Sequence, residues 1–253
     1  MTREPDLPGD FHLHRLDAVD STNAEAKRRA AQGAPDGTVI QADAQTAGRG
    51  RQGRAWDSPP GNLYCSLLLR PDCAPGVAVQ AGFLTALAAG EAVARHLPPE
   101  VAVQYKWPND LLVDGAKVAG ILLETGIDKT GKVDWLVIGL GINVAWHPPD
   151  APYPTASLVA AGADEVSAAG VLAAYCASFA VWRRRWREFG FEPIRRAWLA
   201  KASGIGKTVR VRLENEELTG IFADLDPGGA LILETAAGER RRISAGDVFP
   251  AAA

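Results

Sequence analysis

The sequence has little cysteine. Its three thiols, Cys65, Cys73 and Cys176, are odd in number, widely spaced and without a C-x-x-C pair. None of the four histidines is placed to complete a zinc site with them. That excludes a disulfide-stapled framework and a structural metal, and it points to a reducing compartment, the cytoplasm. The chain also lacks an excess of either charge: 27 Lys and Arg against 30 Asp and Glu leave a net charge of -3 at pH 7. Bulk attraction to nucleic acid or to an anionic membrane is thereby excluded, so an electrostatic partner must be met by a local patch. Long uninterrupted apolar runs are missing too. The most apolar helical stretch, Val77 to Leu97, is broken by Gln80, Glu91 and Arg95, and Met1 to Asp10 is acidic and proline-bearing. Neither a membrane span nor a signal peptide is expected.

What is there is ordinary for a globular chain. The 253 residues are 47% hydrophobic and 23% charged, enough for one large domain and a small one. Phe11 to Leu16 and Thr38 to Asp43 read as strands, and a helix starts at Asp20 to Glu25, where Thr22 with Glu25 fits a capping box, and stops near Gly33. Leu63 to Leu69 reads as a strand, Val77 to Leu97 as a long helix, and Val101 to Lys106 as a short strand. Leu111 to Val113 and Ala116 to Thr125 flank Asp114-Gly115, which suits a tight hairpin, and Trp135 to Val144 adds another strand. Two helices parted near Gly190 fill Ser167 to Lys201. The expected class is α+β, a mixed sheet with antiparallel character and covering helices. After Ala202 the texture changes to short strands divided by glycine turns, Thr208 to Leu213, Glu217 to Asp224, Ala230 to Thr235 and Arg240 to Ile243. This predicts a small C-terminal β-barrel. Domains are therefore expected at 1–203 and 204–253, joined by so short a linker that they stay in contact.

Gln45 to Gly61 stands apart, rich in glycine and arginine and poor in aliphatic side chains, so it cannot bury itself and should be mobile when empty. Gly48-Arg49-Gly50-Arg51-Gln52-Gly53 formally satisfies G-x-G-x-x-G, yet Arg54-Ala55-Trp56-Asp57-Ser58-Pro59-Pro60 follows where a dinucleotide site needs a helix. An alternating Gly/Arg loop instead lets backbone approach a ligand while Arg49, Arg51 and Arg54 meet phosphate or carboxylate oxygens; a solvated basic loop is the plainer alternative. Lys106-Trp107-Pro108-Asn109-Asp110 reads as a strand end and rigid turn. Lys117 lies in an apolar stretch where an unpaired charge is costly; an anionic ligand would relieve it, and the plainer alternative is that the side chain points outward. Gly139-Leu140-Gly141-Ile142-Asn143 ends a strand either as a bulge or as a donor–acceptor edge for adenine. Arg183-Arg184-Arg185-Trp186-Arg187 reads as a solvated helix side with tryptophan anchors, not a DNA-contacting face.

Together, in this order and spacing, these segments resemble the biotin protein ligase family. Gly48, Arg49, Gly50, Arg51, Gly53, Arg54 and Trp56 meet its G-R-G-R-x-G-R-x-W loop, and Lys106 to Leu111 its K-W-P-N-D-L turn. Lys117, Gly120, Ile121, Leu122 and Glu124 meet K-x-x-G-I-L-x-E, while Gly139, Gly141, Ile142 and Asn143 meet G-x-G-I-N. The resemblance spans essentially the whole chain. It implies a catalytic domain similar to class II aminoacyl-tRNA synthetases, an SH3-like C-terminal barrel, and ATP-dependent transfer of biotin to a lysine of a biotin carboxyl carrier protein, such as that of acetyl-CoA carboxylase.

By the same resemblance, Ser21, Thr22, Asn23 and Gln45 hold the ureido ring of biotin, and Arg49, Gly50, Arg51 and Lys117 gather its carboxylate and the phosphate. The nucleotide side draws on Arg49, Arg51, Arg54, Trp56, Lys106, Asn109, Lys117 and Asn143. Arg51 and Lys117, with Mg2+ whose ligands the sequence does not name, offset the repulsion between carboxylate and α-phosphate. Asp110 is the candidate for positioning the acceptor amine. Only twenty residues precede Ser21, too few for the helix-turn-helix that some relatives carry, so no DNA binding is expected. A monomer and a homodimer both remain open. The rivals are a lipoate or octanoate ligase or transferase of the same fold, and a non-enzymatic regulator that binds biotin or nucleic acid.

Overall fold

The computed structural model describes residues 5–251; the outermost residues of both expected domains, and the start of the acidic N-terminal stretch, lie outside the described residues. The chain runs β1 (His12–Val19), α1 (Thr22–Ala31), β2 (Thr38–Gln45), β3 (Leu63–Leu69), α2 (Pro75–Ala78), α3 (Ala81–Ala94), β4 (Val103–Lys106), β5 (Asp110–Val113), β6 (Ala116–Ile127), β7 (Val133–Ile142), α4 (Ala168–Phe189) and α5 (Glu192–Leu199). These strands form one seven-stranded sheet in the order β1-β2-β3-β7-β6-β5-β4. Only β1 and β2 are parallel; every other pair is antiparallel. The mixed sheet expected from the sequence is therefore present.

Alternation of side chains along strands gives the sheet two distinct faces. Cys65, Leu67 and Leu69 of β3, Ile138 and Leu140 of β7 and Ala119 and Ile121 of β6 join the large core beneath α3, α4 and α5. The opposite face carries a small cluster in which Ala26 and Ala30 of α1 lie on Ile40, Leu68 and Val137. Beyond α1 the middle of that face is small, with Ser66, Gly139, Gly141 and Gly120 in adjacent strands and Tyr64 and Leu122 beside them. Burying one face completely and only half of the other leaves a floor for a cleft.

The helix drawn over Val77 to Leu97 is in fact two, α2 and α3, separated at Val79-Gln80 and opened by Pro75 at the first turn. The stretch Pro75–Ala94 is long and apolar enough to cross a membrane by length and composition alone, but 67% of it is buried in the fold. It owes its apolar character to lying between the sheet and α4. The capping box is not formed. Ser21 is the N-cap without a side-chain cap bond; Thr22 turns to Gln45, and Glu25 pairs with Arg28 and Arg29 at 2.8 Å each.

The C-terminal barrel comprises β8 (Thr208–Arg212), β9 (Glu217–Leu225), β10 (Leu231–Glu234), β11 (Arg240–Ile243) and β12 (Asp247–Pro250), ordered β11-β10-β9-β8-β12. The sequence reading found four of these strands; β12, four residues running from an aspartate to a proline, escaped it. The barrel is docked firmly. Trp107 Nε1 donates to the Gly229 carbonyl at 3.1 Å, and Arg195 donates to the Leu225 carbonyl at 2.7 Å and to Asp224 at 2.6 Å. The linker backbone itself lies along β4, with Tyr105 N donating to Lys201 O and Ser203 N to Tyr105 O.

The arginine run sits on α4. Trp182 and Trp186 are anchors as expected, donating to Glu91 at 3.0 Å and Gln80 at 2.8 Å. Arg183, however, is not solvated: it is buried and grips Asp36 through two 2.7 Å bonds, tying α4 to the loop before β2.

Candidate active site

The cleft lies on the uncovered half of the sheet, under the segment between β2 and β3, and encloses about 750 Å³ including its open mouth. Ser21, Thr22, Asn23, Gln45, Arg49, Gly50, Arg51, Arg54, Trp56, Asn109, Asp110 and Lys117 all line it. Residues up to 96 positions apart, Ser21 and Lys117, are thus brought together. Asn143 lines a second hollow of about 1050 Å³ instead, and Lys106 lines neither.

The glycines explain how the floor is made. At Gly139 a Cβ would stand 2.3 Å from Asn23 Oδ1, at Gly141 2.7 Å from the Trp56 indole, and at Gly120 3.0 Å from the same ring. Gly120 and Gly141 face each other in the β6–β7 register. The motif glycines are therefore not a bulge, since β7 pairs regularly on both sides there; they let Asn23 and Trp56 lie flat on the sheet.

One end of the cleft is a neutral hydrogen-bonded network. Gln45 Oε1 accepts from Thr22 N at 2.8 Å and from Thr22 Oγ1 at 3.2 Å, while Gln45 Nε2 donates to Ser58 Oγ at 2.9 Å. Ser66 Oγ stands 2.8 Å from Thr22 Oγ1 and 2.6 Å from Asn23 Oδ1 and donates to one of them. Asn23 Nδ2 donates to Glu124 at 2.8 Å. Glu124 also receives Lys27 at 2.7 Å and lies 3.7 Å from Arg49. Burial pushes its carboxyl up, but the bonds from Lys27 and Asn23 and the nearby charges outweigh that and hold it below the usual range. Asn23, engaged by Ser66 and Glu124, and Glu124, engaged by Asn23 and Lys27, thus shape the wall.

The other end is charged. Among the lining residues, Arg49, Arg51, Arg54 and Lys117 face only two carboxylates, Asp110 and Asp247. The Lys117 ammonium is 2.7 Å from Asp110 Oδ1 and 5.4 Å from the ring centres of both Trp56 and Tyr153. It is neither unpaired nor turned to solvent. The Trp107-Pro108 peptide is cis, and the turn it belongs to delivers Asn109 and Asp110. Asn109 is a strut: Nδ2 donates to Ile121 O at 2.8 Å and Oδ1 accepts from Arg51 at 3.2 Å. Lys106 lies behind Asp110, 4.0 Å from Oδ2, with its ammonium 5.2 Å above the Phe249 ring of the barrel; burial lowers its pKa against the pull of Asp110. Asn143 donates to the Ala156 carbonyl at 3.0 Å and so fixes the segment that carries Tyr153.

The glycine-arginine segment is not shapeless. It doubles back as a small hairpin with a bridge between Arg49 and Ala55, bonds Gly50 N to Arg54 O at 2.7 Å and Trp56 N to Gly48 O at 3.0 Å, and a 3-10 turn at Arg51–Gly53. No helix opens at Gly53, in keeping with the rejection of a dinucleotide site. Sequence reasoning missed Tyr64, Ser66, Tyr153 and Asp247. A lone serine in the otherwise apolar run of β3 was a usable signal; for Asp247 there was none.

The profile of the Biotin/lipoate A/B protein ligase family matches residues 7–200, and that of the Biotin protein ligase C terminal domain matches residues 204–249. A biotin--[acetyl-CoA-carboxylase] ligase of Paracoccus denitrificans is 40% identical over 92% of this chain and 98% of its own length. The chain belongs to the biotin protein ligase family. Another curated member, the bifunctional ligase/repressor BirA of Bacillus subtilis, is 37% identical over 92% of this chain and 73% of its own. Among solved members, the biotin protein ligase from Aquifex aeolicus in complex with biotin and ATP superposes with a TM-score of 0.79 at 29% identity, covering 94% of this chain and 97% of that one. The family's catalytic fold and its SH3-like C-terminal domain are those described above.

Proposed function

We propose that this chain activates biotin with ATP to biotinyl-5'-AMP and then transfers the biotinyl group to a lysine of a biotin carboxyl carrier protein. The observation that carries the reading is the junction of the two hollows. Ala55, Trp56, Lys117 and Tyr153 line both, so two ligands lying one in each would meet at the Lys117 ammonium. The neutral end, with Ser21, Thr22, Asn23 and Gln45, suits a ureido ring that both donates and accepts. The second hollow, with Asn143 and Tyr153, suits a flat base beside an amide. Arg49, Gly50, Arg51, Arg54 and Lys117 between them would meet the biotin carboxylate and the phosphates.

The chemistry follows from that meeting. A carboxylate oxygen attacks the α-phosphorus, the bond to the β-phosphate oxygen breaks, and pyrophosphate leaves. Two anions must approach, so cations already held at the cleft lower the barrier. Lys117 serves first, turning from Asp110 to the reacting phosphate. Asp110, released from Lys117, is then free to take up the incoming lysine amine and hold its proton as nitrogen attacks the acyl carbon and AMP departs. Among the described residues no group of three or more His, Cys, Asp or Glu side chains is gathered for a metal, and both cleft carboxylates already face cations. That donor set fits Mg2+ carried in on the triphosphate, where it would neutralise phosphate charge.

A boundary between residues 203 and 204 is supported by the change to short strands after Ala202, and a cytoplasmic location by the sparse, unpaired thiols Cys65, Cys73 and Cys176. Leu123 to Ile127 of β6 pair with β7 and not with β5, an open edge on which a carrier strand or a second copy can add, so monomer and homodimer are both compatible. No DNA-binding role is assigned, because Arg183 of the arginine run is taken by Asp36. Exchange of labelled pyrophosphate into ATP tests the whole reading: exchange is expected with biotin, and exchange with lipoate instead, or with neither acid, would overturn it.

A further inference from the structure

Asp247 opens β12, and no motif marks it. Its carboxylate nevertheless reaches from the barrel into the wall of the catalytic cleft. Oδ1 lies 3.4 Å from Arg51 Nη1, and Oδ2 accepts a hydrogen bond from Arg54 Nη2. The preceding carbonyl oxygen, that of Gly246, accepts from both amino groups of Arg51 at 3.3 Å. The turn presenting these oxygens has no slack: at Gly246, φ 157°, a Cβ would stand 3.0 Å from the Arg212 carbonyl oxygen and from Leu213.

Three oxygens of the barrel therefore cover the same guanidinium edges that would otherwise meet phosphate oxygens. Arg51 needs such partners. Burial lowers its pKa in spite of the pull of Asp247 and Asp110, so a bare cation there would be costly. Arg54 is half exposed, yet it too is drawn to the same carboxylate. These contacts also account for the hairpin: its tip residues are fastened to a strand almost two hundred positions away.

We propose that Asp247 is an internal counter-ion, occupying the phosphate-binding edges of Arg51 and Arg54 in the empty enzyme, and that the polyphosphate of the nucleotide displaces it. This rests on the assignment of those two arginines to substrate phosphates. A carboxylate and a polyphosphate cannot share both guanidiniums without like-charge repulsion, so nucleotide entry breaks the hairpin's tie to the barrel. A multiply charged ligand overcomes one carboxylate; a weakly charged one does not. The device thus favours triphosphate and pyrophosphate over AMP, and its return helps expel the nucleotide product.

Calorimetric titration of inorganic pyrophosphate with Mg2+ tests this on the full chain. Asp247→Asn is expected to bind pyrophosphate about tenfold tighter, the effect of removing one close competing charge, with biotin affinity unchanged. Asp247→Glu, which restores the charge, should return towards the wild-type value. In the Arg51→Ala/Arg54→Ala background, Asp247→Asn should gain nothing. Unchanged or weaker pyrophosphate binding by Asp247→Asn in protein that still binds biotin overturns the counter-ion role while leaving the arginine assignment intact. Pyrophosphate binding indifferent to loss of both arginines overturns the assignment and the proposal with it. Should Asp247→Asn not fold, amide hydrogen exchange on the wild-type protein decides: residues 244–247 should lose protection when pyrophosphate is added, and no change there overturns the displacement.

Discussion

The two ends of the cleft are built on different principles. At the Thr22 end, short side chains satisfy one another over distances fixed by secondary structure: Gln45 on β2, Ser66 on β3 and Thr22 at the start of α1 form a closed neutral network. At the Lys117 end, long side chains are held mainly by ion pairs, Lys117 to Asp110 and Arg51 and Arg54 to Asp247, with Asn109 and the Gly246 carbonyl adding hydrogen bonds to Arg51. The first arrangement is ready before a ligand arrives. On the proposed assignment the second is taken apart by the ligand, since each cation that would meet the phosphates already has a partner. With a neutral ring at one end and charged chemistry at the other, as proposed, the site is preorganised where recognition is needed and exchangeable where charge moves.

The sharpest way to break this comparison is Lys117→Gln. It should slow biotin-dependent pyrophosphate exchange by about 10²–10³-fold, as removal of a transition-state donor does, while equilibrium biotin binding changes little. An equal loss in biotin affinity would mean the two ends are not separable. Next in size is Gly139→Ala. The new methyl would collide with Asn23, and overpacking of this kind costs about 1–3 kcal/mol; thermal unfolding should show it, and biotin affinity should fall with it. Gln45→Ala should weaken biotin binding by roughly tenfold, one hydrogen-bonding partner's worth, with the KM for ATP unaltered. The smallest effect concerns pH. Glu124 has a depressed folded pKa, so its contribution is complete above the ordinary glutamate range and is lost as pH falls through the lower folded value. Stability of Glu124→Gln relative to wild type should therefore be worst near neutrality and converge with it in acid, as read by denaturant unfolding at a series of pH values.

Much of this was legible in the sequence, and the reasons differ by segment. The strands β2, β3, β6 and β7 announced themselves because burial imposes a composition on them. The glycines of Gly120, Gly139 and Gly141 signalled close approach without saying what approaches; only the folded sheet shows Trp56 and Asn23. Local rules failed where a distant partner won. Thr22 had a good capping partner three residues away, yet Gln45, 23 residues on, takes its hydroxyl. The partner of Lys117 was hidden by the hairpin between them, whose register sets Asp110 opposite Gly120. Asp247 was beyond reach, because a single acid in a short strand of the barrel carries no pattern that names Arg51.

Trp56, resting on the facing pair Gly120 and Gly141, has a consequence for redesign. The two glycines are alike in what they permit: a methyl on either would strike the same ring. Neither can therefore drift alone, and the three positions should be inherited as a set. Reversing the logic, replacement of the indole by a smaller ring would free the space above both strands, making this the seam along which a cleft tailored to an enlarged acid could be recut.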